Sequence, residues 1–460
     1  MSIRAKYHYT HFIYPFVIDN NKYGSFIENI LSQDKSWKLN IDKKNGDEEL
    51  HNFFLPYMRK FLFPTIFWND EYIKSYKNMN NYAKVSVLKR LTCLTFDYEL
   101  NNIKTGKLTD NRYEVINFDI SNIKIICFEP GICFLDIKAQ IDESTENIDF
   151  NKILDFNNIF RELTPKNNDK FSNIKAKSID NIKDISIFIN SVISGFESND
   201  LEKIYYDKMF TYSYACINKE DWNKNTNFDN IKNDFYRFQY VIDSKNTATF
   251  NNNCNKLEEN TYSRWQFSKF GFSRESGVVL VSEDEQYNIT RMPYNFEKTY
   301  LYILLLAFFQ RISLINFSQE LLRKDKTMVQ RLKKKLTKFT HFSWFSQITN
   351  SEHGMDIWKS WQKAFELQEL YDEVHREYME YYDFVVASGQ DKTNLILIIL
   401  YTVSVIFSGI SIVAQQFDMK GTWIEPFIIY LIIFTSLSYP IYLILRWCKH
   451  KIEKMLGTKI

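Results

Sequence analysis

LILIILYTVSVIFSGISIVA, residues 395–414, contains no charged side chain. As a helix rising about 1.5 Å per residue it covers about 30 Å, the thickness of a bilayer's hydrocarbon core, so it is expected to cross a membrane. A second uncharged run, FIIYLIIFTSLSYPIYLIL at Phe427–Leu445, is expected to cross back, with Pro440 kinking it. Between them lie only Gln415 to Pro426, with Trp423 where an interfacial aromatic anchor belongs. Lys392 precedes the first span and Arg446, Lys449, Lys451 and Lys454 follow the second, against Lys420 alone in the loop. The positive-inside rule then puts both termini in the cytoplasm. Tyr300–Ile315, YLYILLLAFFQRISLI, is shorter than a span and carries Gln310 and Arg311, so it is expected to be a buried helix of a soluble body.

No proline interrupts the chain from about Met355 to Gln416, so the first span is expected to continue a long stalk helix. Steps of seven back from Gln415 meet Ser408, Tyr401, Asn394, Ala387, Glu380, Glu373 and Glu366. The interleaved row is Ser411, Ser404, Leu397, Gln390, Asp383, Arg376 and Glu369. Polar groups avoid lipid, so Asn394, Tyr401, Ser404, Ser408, Ser411 and Gln415 should face a partner helix or water. If several copies surround an axis, the stripe lines a conduit, with Glu366, Glu373, Glu380 and Asp383 as an acidic funnel below it. Tight helix packing by serines and a solvated stalk face produce the same pattern.

The remaining chain reads as a large α/β body. Of 460 residues, 58 are basic and 56 acidic, and the resulting +2 argues against a polycationic binder of nucleic-acid polymers. Six cysteines without a CxxC pair suit a reducing cytoplasm better than a disulfide framework. Residues 1–165 form a first α/β part, with Val85–Tyr98 and Ile123–Ile141 extended and Glu129-Pro130-Gly131 a hairpin turn. Residues 166–200 are polar and read as a linker or mobile excursion, 201–291 as the second α/β part, 292–394 as helical region and stalk, and 395–460 as transmembrane hairpin and basic tail. The helical region carries a basic run, Arg323, Lys324, Lys326, Arg331, Lys333, Lys334, Lys335 and Lys338, for the acidic stalk to neutralise or to stand as a positive collar.

In Tyr262–Asp284, the aromatics Trp265, Phe267, Phe270 and Phe272 alternate with Arg264, Lys269 and Arg274. Aromatic faces stack on bases and cations meet phosphates, so Arg264, Trp265, Lys269 and Arg274 are candidates for a small nucleotide ligand; a half-buried strand alternates in the same way without one. No Walker A run, GxGxxG, HExxH or GxSxG is present, and no enzyme is expected. His8 and His11 are a weak metal motif, lacking a second pair of ligands.

A cytoplasmic α/β domain, a stalk helix running into the first span, a tight loop, a second span and a basic tail together resemble the CorA family of metal-ion transporters. YLYILLLAFFQRISLI and FEPGICFLDIKAQ (Phe128–Gln140) are similar to its divergent bacterial branch. The resemblance implies a funnel-shaped homopentamer in a bacterial inner membrane, with the first span lining the pore. Better-known members carry Tyr-Gly-Met-Asn after that helix, whereas this chain reads Phe417-Asp418-Met419-Lys420. Lys420 ammonium groups at the pore mouth beside Met419 would repel a divalent cation, unless neighbouring Asp418 carboxylates cancel that field or pair with them. The divergent branch includes proteins encoded beside type III CRISPR systems, and that likeness implies an antiviral channel opened by S-adenosylmethionine conjugated to AMP (SAM-AMP). A constitutive Mg2+ transporter with an altered loop and a non-conducting membrane scaffold are the competing expectations.

Overall fold

The computed structural model of the chain describes residues 3–32, 36–42, 47–100, 105–108, 113–129, 131–142, 147–163, 171–172, 174–176, 179–182, 185–196, 207–223, 231–247, 250, 255–322 and 326–416. The chain divides into two compact units, Met1–His375 and Arg376–Ile460.

The first unit is built on a sheet of β1 (Arg4–Val17), β2 (Trp37–Leu39), β3 (Cys93–Tyr98), β4 (Thr105–Leu108), β5 (Ile116–Phe128), β6 (Ile132–Ile141), β7 (Ile148–Asp149), β8 (Phe171–Ser172), β11 (Phe210–Ile217), β12 (Thr261–Tyr262), β13 (Ser268–Phe272) and β14 (Ser276–Ser282), with β9 (Ile174–Ala176) and β10 (Ile179–Ile182) paired separately. The main path runs β12-β13-β14-β11-β1-β6-β5-β3-β2. Its pairs are antiparallel except β11 with β14, which is parallel. β1 and β11 pair across the middle, so strands from both sides of residues 166–200 belong to one sheet.

Helices cover both faces, which is why the central strands are apolar on both sides rather than alternating. Even-numbered residues of β1 meet the helix Phe150–Phe160: Phe12 lies 4.2 Å from Phe160 between ring centroids, and Thr10 Oγ1 donates to Asn157 Oδ1 at 2.8 Å. Odd-numbered residues meet the other layer, where Tyr9 sits 5.5 Å from Phe296. That layer is the helical stretch Met292–Leu322, and 78% of its most apolar window is buried. Phe308 packs on Phe134 and Phe210, and Phe309 on Phe128. The expected soluble helix over Tyr300–Ile315 is therefore a core element of the body.

The hairpin expected around Glu129 and Gly131 joins β5 to β6. Gly131 takes φ +98°, and a Cβ there would stand 2.7 Å from the Ile18 carbonyl oxygen, so glycine meets both demands. Three expectations need correction. Val85–Tyr98 is not one extended run: Asn80 caps a helix at Asn81–Leu88 by accepting from the Ala83 N–H at 2.8 Å, and the strand begins only at Cys93. Within the stretch expected as a polar linker, Ile185–Ile193 is a helix whose Ile185, Phe188, Ile189, Val192 and Ile193 enter the core; its apolar spacing outweighs the polar average of its surroundings. The stalk is not continuous from Met355. One helix, Glu352–Ala364, ends at Phe365, Glu366 takes φ +52°, and a new helix of 50 residues, Leu367–Gln416, follows.

That helix leads from the first unit into the second, of which it supplies all the described residues. Its segment Asn394–Gly409 is apolar. The second expected span at Phe427–Leu445, the loop and the basic tail lie outside the described residues.

Candidate functional site

The apolar segment carries its large side chains in the open. Leu400 is 57% exposed, Tyr401 and Phe407 are each 66% exposed, and Ile396, Leu397 and Ile412 are likewise uncovered. Asn394, Ser404, Ser408 and Ser411 of the expected stripe are also exposed. The serine hydroxyls are already used: Ser404 donates to the Leu400 carbonyl at 2.9 Å, Ser408 to that of Ser404 at 2.8 Å and Ser411 to that of Phe407 at 2.9 Å. Back-bonding of this kind satisfies each hydroxyl donor within its own helix while leaving oxygen lone pairs available as acceptors. A helix so equipped tolerates hydrocarbon on its apolar sides and offers acceptors to water or a cation along its stripe. Gln415 lies in the last turn of the helix, its side chain outside the described set, and Asp418, Met419 and Lys420 lie outside it altogether.

The acidic row is not uniform. Glu373, Glu380 and Asp383 are exposed on the helix, but Glu366 precedes it and pairs with Arg274. Its positive φ takes it out of the heptad phase that the sequence suggested. In the basic run, Lys335 pairs with Glu320 at 2.6 Å and Lys338 with Glu129 at 2.5 Å, so carboxylates of the body take contacts expected of the stalk. Arg323 and Lys324 are outside the described residues, as is the side chain of Lys326.

The nucleotide candidates separate into two places. Arg264 and Trp265 sit in the turn between β12 and β13, not in an alternating strand. Trp265 is 51% exposed, and Arg264, over the Trp265 ring at 5.8 Å, is held by Glu352 at 2.6 Å and Asp356 at 3.7 Å. Beside them Tyr262 Oη lies 2.9 Å from His353 Nδ1, and His353 Nε2 lies 3.1 Å from Tyr300 Oη. Burial, helped by the Arg264 charge, lowers the His353 pKa to about 4, so the ring is neutral here. Lys269 lies on β13, between the buried Ser268 and Phe270. Arg274 instead borders a cavity of about 880 Å³ together with Glu366, Lys363, Tyr240, Ser273 and Ser276. That volume accommodates a nucleotide-sized ligand.

His8 and His11 do not form a metal site. Separated by three positions on β1, they point to opposite faces. His8 accepts from the Ile141 N–H at 3.1 Å on one face, and His11 Nδ1 lies 3.0 Å from both Asp136 oxygens on the other. Among the described residues no group of three or more His, Cys, Asp or Glu side chains is placed to hold a metal ion. Sequence spacing also gave no sign of His51, Asp42, Lys124 and Lys298, which converge on a second, smaller cavity.

No protein-family model matches the chain. No curated protein matches it either. Among solved structures, that of the CorA magnesium transporter from Methanocaldococcus jannaschii is similar at 12% identity and a TM-score of 0.21, over 53% of this chain and 92% of that one. A likeness of that size decides neither fold nor function, and the functional reading rests on the chain's own residues.

Proposed function

We propose that the chain is a CorA-like membrane protein whose Leu367–Gln416 helix enters the bilayer through Asn394–Gly409 and, in a homo-oligomer, lines an ion path with Asn394, Tyr401, Ser404, Ser408 and Ser411. One observation carries the reading: a charge-free helical segment exposes its large apolar side chains while its serine hydroxyls are satisfied within the helix. Water does not favour such a surface, whereas lipid and further copies of the helix do. A conduit, not an enzyme, is the activity proposed.

In its finer form the path is a pentamer in a bacterial inner membrane, with both termini cytoplasmic, opened by a nucleotide messenger of the SAM-AMP class in type III CRISPR defence. The cavity bordered by Arg274 is the place to look for that ligand, because Arg274 is paired with Glu366 immediately before the long helix begins. A phosphate that takes Arg274 from Glu366 would free the residue whose left-handed backbone joins the two helices.

Ion release from proteoliposomes, with and without SAM-AMP and with Mg2+ varied on the cytoplasmic side, tests the proposal. Release only with the conjugate supports the gated form. Release without it, suppressed by Mg2+, returns the protein to constitutive transport. No release under any condition from well-inserted protein leaves a scaffold and removes the conduit. Ser408→Leu should abolish release without lowering insertion, since apolar side chains dewet a narrow path.

A further inference from the structure

A cavity of about 250 Å³ opens beside the sheet in the first unit, away from every residue so far given a role. Asn40 and Asp42 reach it from the segment after β2, His51 from the helix Glu48–Phe53, Thr95 from β3, and Lys124 from β5. The long core helix supplies Glu297 and Lys298 from a π-helical turn at Phe296–Tyr300. Such turns widen a helix locally and recur at functional sites.

His51 is the group that most needs a ligand. It is 3% exposed, its ring packs edge-on against Phe63 at 5.0 Å, and neither ring nitrogen has a hydrogen-bond partner among the described residues. Burial pulls its pKa down, so the ring is neutral and offers one donor and one acceptor, both unmatched. Asp42 receives the Thr65 hydroxyl at 2.8 Å, and its carboxyl is raised by burial. Lys124 and Lys298 also line the cavity; among the described residues neither has a carboxylate oxygen within ion-pair distance, and at longer range Lys298 acts on Asp42 and Lys124 on Glu297. The other charges are spoken for: Glu297 holds Lys138 at 2.7 Å, and Asp47 caps the Glu48–Phe53 helix and accepts from the Tyr294 hydroxyl.

The open valences are therefore two ammonium groups and, opposite in sign, a carboxylate beside a neutral imidazole. A metal cation would answer Asp42 and His51 but face two lysines. An inorganic anion would answer the lysines but face Asp42. A ligand carrying both charges answers all four, and Leu50, Ile126, Leu301 and Leu305 give it a short apolar wall. The cavity lies below the roughly 300–1,000 Å³ of drug-sized pockets, which suits a compact metabolite and excludes a dinucleotide.

We propose that this cavity binds a free α-amino acid, its carboxylate toward Lys124 and Lys298 and its ammonium toward Asp42 and His51. The proposal does not depend on the membrane reading. It is tested by calorimetric titration of the full-length protein in detergent with the standard L-amino acids one at a time. At least one should bind with a single site per chain. Its N-acetyl and carboxamide derivatives, and Lys298→Ala and Lys124→Ala proteins with the parent ligand, should each bind about tenfold more weakly or worse. Lys77→Ala, at an exposed position outside the cavity, should bind normally. His51→Gln joins the set if its thermal unfolding remains cooperative, and the lysine variants decide the matter if it does not. The proposal is overturned if no amino acid binds, if acetate or methylamine alone binds as tightly, or if both lysine variants retain full affinity.

Discussion

Leu301–Leu322 and Asn394–Gly409 are both helical, mainly apolar stretches, distinguished in composition chiefly by Gln310, Arg311, Gln319 and Glu320 in the first. In the first, Leu304, Leu305, Phe308 and Phe309 are fully buried against the sheet and its flanking helices. In the second, Ile396, Leu397, Leu400, Tyr401 and Phe407 are each exposed over more than half of their surface. An apolar helix is stable only where some apolar phase covers it. The body provides that phase for the first stretch. The described residues leave the second uncovered, and on the proposed reading lipid or other copies of the chain cover it.

A charge placed in each stretch should break the comparison most sharply. Leu304→Arg buries an unpaired cation in a packed core and should cost more than about 4 kcal/mol. The body should then lose cooperative thermal unfolding, and a variant that melts like the parent would contradict the core role. Leu400→Arg should leave the melting of the body unchanged while adding about 2.5–3.5 kcal/mol against insertion. Membrane fractionation reads that directly: a variant still wholly membrane-bound argues that this segment does not cross.

Two smaller effects belong to the body alone. A Cβ on Gly277 would lie 2.4 Å from the fully buried Trp361 ring, and the ring has no room to retreat between Phe272 and Phe365. Gly277→Ala should destabilise by about 1–3 kcal/mol, read as a lower midpoint in denaturant at unchanged slope. The last effect is on pH. Burial holds the folded-state pKa of His8 at about 3, against an ordinary value of 6.5. The unfolded chain protonates this ring near pH 6.5 and the folded chain only near pH 3, so its contribution is complete above pH 6.5 and declines toward pH 3. Asp42 and Asp155, raised by burial, act in the opposite direction. His8→Gln should flatten the acid limb of the stability profile, and an unchanged limb would assign acid sensitivity to other groups. On the membrane reading, acid should unfold the body without releasing the protein from membranes, since Asn394–Gly409 carries no Asp, Glu, His, Lys or Arg.

Local pattern carried much of this architecture. The Glu129–Gly131 turn was legible because only glycine takes such a backbone between two apolar runs. Gln310 and Arg311 pointed to a buried helix at Tyr300–Ile315, but the whole helix, Met292–Leu322, is long and apolar enough to cross a membrane, and its burial in the body is what marks it as core. The Asn81–Leu88 helix was missed because Val85 and Val87 look like strand residues, while the Asn80 cap that starts the helix is a weaker signal. The break at Glu366 left no trace, since neither proline nor glycine marks it.

The sequence by itself determined that a charge-free run with a serine and tyrosine stripe exists near the C-terminus, because charge and periodicity are properties of neighbouring residues. Tertiary structure decided which of two apolar helices is core and which is uncovered, because burial depends on what folds against a helix. It also separated Arg264 from Arg274, turned His8 and His11 to opposite faces, and gathered Asp42, His51, Lys124 and Lys298 around one cavity. The last of these joins residues far apart in the chain, and only the pairing of strands and the packing of helices across them brings such groups together.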